Sequence, residues 1–333
     1  MDQEKLLQLR EAVMYSRNAL YLRLAATSEK GLLSTEIRKS AWPIILAADN
    51  KPWEIQDYSN KDSELIERDI ERSIFGTDVT DSYTEDQRQL KRKELSKIIN
   101  TIVKKNPDLH YFQGFNQICT IFLVTAGINI AYHISEKSSL TLLKDTMRKG
   151  FEEGLIQQLK LIYDILEIAD TSVATKLKTM YSYDGEIEIP AIAVPWVICW
   201  FSSTLNTWND ISRIFDFCIA THALAPIYLS AVVILWKKNE LLACEEHYEV
   251  HQLFRDLDGI DVERLCCEAF SLMIKLKPSD LAMGHKEKFK IDSPVFMNDG
   301  LEEIFSRRMK ERWLGKTIAG LVLVSAIVLG FKN

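Results

Sequence analysis

Apolar side chains recur three and four residues apart through segment after segment of residues 4–277, and no stretch sustains the two-residue alternation of a half-buried strand. A chain patterned this way buries its apolar stripes by packing helix on helix. The spacing predicts a helix over residues 4–27, with Leu6, Leu7, Leu9, Val13 and Leu20 among polar neighbours, and another over 34–46, interrupted at Pro43. It predicts one around Ile66, Ile70 and Ile74, capped by Asp62 or Ser63, and a basic one over 86–105, closed by the turn Asn106-Pro107-Asp108. A buried helix follows over 118–134, then helices over 140–151, 155–180, 194–204, 210–220 (capped by Asp210) and 225–242. Thirteen Gly and eight Pro in 333 residues are few for a turn-rich sheet protein, and no internal repeat is evident. The expected fold class is all-α, a single helical domain over residues 1–277.

Charge and cysteines narrow the function. A net charge of −6 argues against a nucleic-acid partner. Six Cys fall mostly inside apolar stretches without framework spacing, which suits a reduced compartment, and Met1-Asp2-Gln3-Glu4-Lys5 leads into a polar helix with no signal peptide. Cys244, His247, His251, Cys266 and Cys267 match no standard zinc spacing. No Gly-x-x-x-x-Gly-Lys followed by Ser or Thr occurs, so the chain holds no nucleotide by a P-loop of its own. Asp164 and Glu167 read as solvated charge. Arg88, Lys91, Arg92 and Lys93 read as a solvated helix face or as a patch that steers an acidic partner.

The C-terminal region differs in kind. Residues 278–298 mix Gly, Pro, Asp and Lys and read as a linker, and 301–313 as a short basic helix. Thr317 to Phe331 is unbroken apolar sequence. Its fifteen residues rise roughly 22 Å as a helix, short of a bilayer core of about 30 Å. Counting from Trp313, with Lys316 snorkelling, brings the span close to that of a thin membrane. Residues 278–312 are therefore expected as linker and juxtamembrane helix, and 313–331 as a C-terminal transmembrane tail anchor. Arg307, Arg308, Lys310, Arg312 and Lys316 place the preceding chain in the cytosol.

Two stretches carry candidate chemistry. In Ile66-Glu67-Arg68-Asp69-Ile70-Glu71-Arg72-Ser73, Arg72 points away from the apolar stripe, and Asp69, three residues back, can hold its guanidinium in a fixed direction. Arg68 points outward too, so periodicity leaves open whether Arg72 serves a partner or a solvated face. In His110-Tyr111-Phe112-Gln113-Gly114-Phe115-Asn116-Gln117, Gln113 sits where a loop enters a helix, beside a Gly that allows close backbone approach. Its carboxamide could serve a turn, a water or a partner. Elsewhere, Arg38 lies one turn from Trp42, inviting cation–π packing, Trp196 and Trp200 stand one turn apart, and Arg213 and Asp216 can pair.

Together the two stretches resemble the paired signatures of TBC-domain proteins, the GTPase-activating proteins for Rab-family GTPases. Ile66, Asp69, Arg72 and Ser73 meet the pattern I-x-x-D-x-x-R followed by Thr or Ser. Tyr111, Gln113, Gly114, Phe115 and Asn116 meet Y-x-Q-G followed by an apolar residue and Asn; Gln117 departs where many members carry an acid. Arg38 and Trp42 resemble the family's opening R-x-x-x-W element, and Trp196 to Phe201 with Arg213 and Asp216 its aromatic third element. The resemblance implies a helical domain that acts in trans on a GTP-bound Rab, with Arg72 and Gln113 catalytic. Asp69, Tyr111, Gly114, Asn116, Arg38, Trp42, Arg213 and Asp216 would support them. GTP and Mg²⁺ would belong to the partner, and the chain would need no cofactor. With a C-terminal anchor, and with Tyr111 to Gly114 and His222 to Tyr228, the chain resembles the endoplasmic-reticulum-anchored branch, which acts on the early secretory ER-to-Golgi Rab. The competing expectation is a non-catalytic Rab-binding or tail-anchored scaffold.

Overall fold

The computed structural model describes residues 2–49, 51–53, 59–149, 154–257, 259–297 and 301–307. Its helices are shorter and more numerous than the apolar runs. They are α1 (Asp2–Glu11), α2 (Ala19–Ala26), α3 (Thr35–Leu46), α4 (Ser63–Glu71), α5 (Asp78–Asp81) and α6 (Glu85–Lys105). Then come α7 (Phe115–Ala126), α8 (Ile128–Leu140), α9 (Leu155–Ala169), α10 (Thr171–Met180), α11 (Val194–Ile198) and α12 (Trp208–Ala220). The series ends with α13 (Ala225–Trp236), α14 (Lys238–Ala243), α15 (His247–Leu253), α16 (Val262–Lys275) and α17 (Pro278–Met283). Among the described residues one hairpin of two-residue strands occurs, β1 (Ser182–Tyr183) with β2 (Glu186–Ile187).

The breaks have local causes. The expected helix 4–27 divides at Arg17, which takes a left-handed φ of 45°, before Asn18 caps α2. Gly127, with φ of 75°, splits 118–134 into α7 and α8. Asp170 splits 155–180 by accepting the first N–H groups of α10. Residues 141–149 form turns rather than the expected helix. Pro43 does not interrupt α3, which runs on to Leu46. Thr207, not Asp210, caps α12, accepting from the Asp210 N–H. The helix expected over 194–204 ends at Ile198, because Trp200 and Phe201 take φ of 47° and 63°. These two rings therefore leave the helical turn and enter the core separately.

Around those rings the first and second halves of the domain meet. Helices α6, α7 and α8 pack on one another, and α7 and α8 also on α3, while α9 and α16 pack on α13, whose residues Ala225 to Ile234 are all buried. Helix α12 joins the halves by packing on α2 and α3 on one side and α16 on the other. Trp42 (α3), Phe122 (α7) and Phe215 (α12) meet mutually, edge-to-face or tilted, with ring centroids 5.6–6.2 Å apart, and Trp200 lies 5.2 Å from Phe215.

Beneath the aromatic cluster lies a polar hub. Asp216, fully buried, accepts from Trp42 Nε1 (2.9 Å), Leu32 N (2.9 Å) and the Arg38 guanidinium (3.0–3.1 Å). Four donor atoms satisfy one buried carboxylate, which is the condition for burying charge without large penalty. Arg38 and Trp42 thus share Asp216, rather than Arg38 lying on the indole. Arg213 does not pair with Asp216 as expected: it donates to Glu263 (3.0 Å) and to the Ala26 and Ser28 carbonyls (3.1 Å). Gly31, φ 53°, is confined to glycine because a Cβ there would come 2.5 Å from Asp216 Oδ2.

The first compact unit extends from Met1 to Met297, so residues 278–297, read from composition as linker, are folded. Helix α17 buries Pro278, Leu281 and Ala282, and Ser293 donates to the buried Asp145 carboxylate. In the second unit, residues 298–333, the described residues 301–307 are helical. The tail-anchor expectation, residues 313–331, lies outside the described residues. Among the described residues, no helix is long and apolar enough to cross a membrane.

Candidate functional site

Helix α4 presents Ile66 and Ile70 to the core and stops at Glu71. Arg72 is therefore the C-cap (φ −97°, ψ 3°), one residue past the helix on which the sequence places it. Ile74 reaches the core by a chain reversal, buried at a left-handed φ of 65°. The turn is pinned by Ser73, whose hydroxyl donates to the Asp69 carbonyl (2.8 Å) and accepts from Asn116 Nδ2 (2.9 Å).

Asp69 is the node that joins the two motif stretches. One carboxylate oxygen accepts from Arg72 Nη2, and the other accepts from the Tyr111 hydroxyl at 2.7 Å, across 42 positions of sequence. The carboxylate is 2% exposed, whereas the Arg72 side chain is 68% exposed. A buried anion thus holds the base of an exposed cation and fixes its direction. Burial and the Asp69 anion push the Tyr111 phenol far above its ordinary value, so it remains a donor. Tyr111 N donates to Asp62 Oδ2 (2.9 Å), which is what Asp62 does instead of capping α4 with its side chain.

Gly114 is the N-cap of α7 with φ of 121°, and a Cβ there would meet Ile198 O at 3.0 Å and Cys199 Sγ at 3.1 Å. The close approach anticipated beside this glycine is made by the end of α11. Asn116 accepts from Gly114 N (3.2 Å), so the same side chain fixes the turn under Gln113 and the turn behind Arg72. Gln113 is exposed, and its carboxamide makes no hydrogen bond among the described residues. Gln117, the departing position, is the third residue of α7.

These residues open on one groove of about 380 Å³, lined by Asp69, Arg72, Gln113, Gly114, Asn116 and Gln117 and walled by Val194, Pro195, Ile198, Cys199 and Ser203. Burial pushes the Cys199 thiol up to about 11, so it stays protonated and is no nucleophile. The groove offers a directed cation and a free carboxamide, a set suited to stabilising charge and orienting a water on a substrate that a partner brings. Arg38, Trp42, Arg213 and Asp216 stand apart from it, in the buried hub and its surroundings. The α11 wall and the Asp62 contact were missed from sequence, because each is long-range and no local spacing announces it.

Residues 35–242 match the family model described as the Rab-GTPase-TBC domain. TBC1 domain family member 20 of Homo sapiens is 32% identical over 272 residues, 78% of this chain, and the chain covers 64% of that protein's length. The GTPase-activating protein gyp10 of Schizosaccharomyces pombe is 26% identical over 219 residues, 64% of this chain and 56% of its own length. In fold, the chain is similar to the crystal structure of the Ypt/Rab-GAP domain of Gyp1p, with a TM-score of 0.63 over 83% of this chain and 100% of that one at 14% identity. The family model spans Arg38, Trp42 and Asp216 of the buried hub, both motif stretches and the α11 wall together, and the chain belongs to the Rab-GTPase-TBC domain family.

Proposed function

We propose that this chain is a GTPase-activating protein that accelerates hydrolysis of GTP held, with Mg²⁺, by a Rab-family GTPase. The observation that carries the reading is that Arg72, clamped yet exposed, and Gln113, exposed and unbonded among the described residues, open on the same groove. Small GTPases hydrolyse slowly because charge develops on the phosphoryl oxygens and the attacking water is poorly held. A guanidinium inserted in trans meets the first need, worth about 10³ to 10⁵ in rate. Gln113 meets the second by orienting the water. The chain is then an activator in trans and turns over no substrate of its own.

Two finer readings rest on the family resemblance and on the apolar run Thr317 to Phe331. The partner is the early secretory ER-to-Golgi Rab, and residues 313–331 anchor the domain in the endoplasmic reticulum membrane, facing the cytosol. A panel of GTP-loaded Rabs in single-turnover phosphate release tests the first. Gln113→Ala should lower the stimulated rate roughly 10²-fold even where the GTPase keeps its own glutamine. Tight binding without acceleration would instead favour the scaffold reading. Removing residues 317–333 should release the chain from membranes and leave its activity intact; aggregation of the truncated chain would count against the anchor.

A further inference from the structure

Helix α6 carries Arg88, Lys91, Arg92 and Lys93 in its first half, and the two arginines turn inward. Arg88 Cζ lies 4.4 Å and Arg92 Cζ 4.9 Å from the centroid of the Phe75 ring. Arg92 Nε donates to the Ser73 carbonyl and Arg88 Nε to the Ile74 carbonyl, each at 3.3 Å. Arg88 Nη2 also reaches the Asp81 carbonyl at 3.2 Å, and Glu85 accepts from Arg92 Nη1 at 3.3 Å. The guanidiniums are therefore engaged with the chain itself, their side chains only 14% and 19% exposed.

The segment they hold is the one that leaves Arg72. With α4 ended at Glu71, the carbonyls of residues 73 and 74 have no following turn to accept from, and the two guanidiniums supply the donors. Ile74 is β-branched and left-handed, a conformation that persists only where the surroundings impose it. Asn116 grips the Ser73 hydroxyl while Arg92 grips its carbonyl. Asp69 fixes the guanidinium of Arg72, but nothing in that bond fixes the backbone from which the side chain departs.

We propose that Arg88 and Arg92, stacked on Phe75, are positioning residues for Arg72: they lock the turn behind it so that its guanidinium enters the partner in one direction. The inference rests on the function proposed above. A steering patch for an acidic partner would keep its effect with Lys in place of Arg, since charge is conserved. A clamp would not, because an ammonium reproduces neither the planar stacking nor the fixed fork of donors.

The test is stimulated hydrolysis over a range of chain concentrations for Arg92→Lys, Arg88→Lys and Phe75→Ala, each alone and combined with Arg72→Ala, with melting temperatures alongside. The clamp predicts a maximal rate lowered roughly 10- to 100-fold by each single change, with the half-saturating concentration within about twofold of wild type. It predicts no further loss when the change is added to Arg72→Ala. An unchanged maximal rate, a loss confined to the half-saturating concentration, or the same fold-loss in the Arg72→Ala background would each overturn it. If Arg88→Lys does not fold, half-exposed Phe75→Ala decides. If the wild-type chain accelerates no GTP-loaded Rab, the proposed function falls on its own. Amide hydrogen exchange then judges the clamp: Phe75→Ala should speed exchange at residues 73–76 about tenfold, and unchanged exchange would overturn it.

Discussion

Two Arg–Asp ion pairs of the molecule, each with a buried carboxylate, have opposite surroundings. In Arg38–Asp216 both partners are buried, 5% and 0% exposed, and the carboxylate also holds Trp42 and Leu32. In Arg72–Asp69 the carboxylate is equally buried, but the guanidinium is 68% exposed. The first pair has its charge fully used inside the fold. The second keeps only its anion inside and presents its cation to whatever docks. Residue type does not separate the two roles; burial of the cation does. A surface-exposed cation adds little to stability, so Arg72 is free to be selected for what it does to a partner.

The strongest test of the contrast is to remove the carboxylate of the fully buried pair. Asp216→Ala leaves a buried guanidinium and two buried N–H donors unpaired, and should cost about 3–5 kcal/mol, a melting point lower by on the order of 10 °C. Calorimetry or thermal circular dichroism reads it, and a loss under 1 kcal/mol would show that the hub is not structural.

A buried titratable group without a charged partner sharpens the same point. His222 Nε2 donates to the Met297 carbonyl (3.0 Å) and Nδ1 accepts from Leu224 N (3.1 Å), so both nitrogens are satisfied only in the neutral ring. Burial lowers its pKa to about 4. With an unfolded value near 6.5, the unfolded chain binds the extra proton first as pH falls. The neutral ring's contribution is therefore complete above about pH 6.5 and lost progressively down to about pH 4, up to about 3 kcal/mol. Chemical denaturation at intervals across that window should show the decline, and His222→Asn should flatten it.

Smaller effects belong at the node between the motifs. Tyr111→Phe removes one donor to the buried Asp69 anion and should cost about 2 kcal/mol of stability, with roughly a tenfold lower stimulated rate as Arg72 loses its fixed partner. A rate fall with no change in melting would put Tyr111 in contact with the partner instead. Smallest of all, Arg68→Ala removes an exposed side chain bonded to its own helix at Glu64 O and should stay within about 0.5 kcal/mol in both stability and barrier.

What could be read in advance follows the range of the interaction. Helical periodicity disclosed the fold class because it is a property of neighbours three and four apart. The Asp69–Arg72 pair was legible for the same reason. Where the runs break was partly legible, since Gly127 and Asp170 carry turn and cap chemistry, but Trp200 and Phe201 leave the helix for a core they cannot announce locally. Asp216 pairs with an arginine that spacing does not indicate. Three-residue spacing favours Arg213, while its partner Arg38 lies 178 positions away. The link from Asp69 to Tyr111 is equally invisible to spacing. Residues 278–297 look like linker by composition, yet Ser293 is drawn inside by the buried Asp145.

On the proposed function, Arg72 contributes to the reaction and not to the fold. Phosphate release from the preferred GTP-loaded Rab should therefore be compared for wild type, Arg72→Ala, Arg72→Lys and Arg68→Ala, with the melting temperature of each. Arg72→Ala should lose about 10³-fold or more of the stimulated rate, at least about 4 kcal/mol of barrier, with melting unchanged. Arg72→Lys should be nearly as damaging, and Arg68→Ala close to wild type. Equal rates for Arg72→Ala and wild type, or a greater loss at Arg68 than at Arg72, would contradict the account.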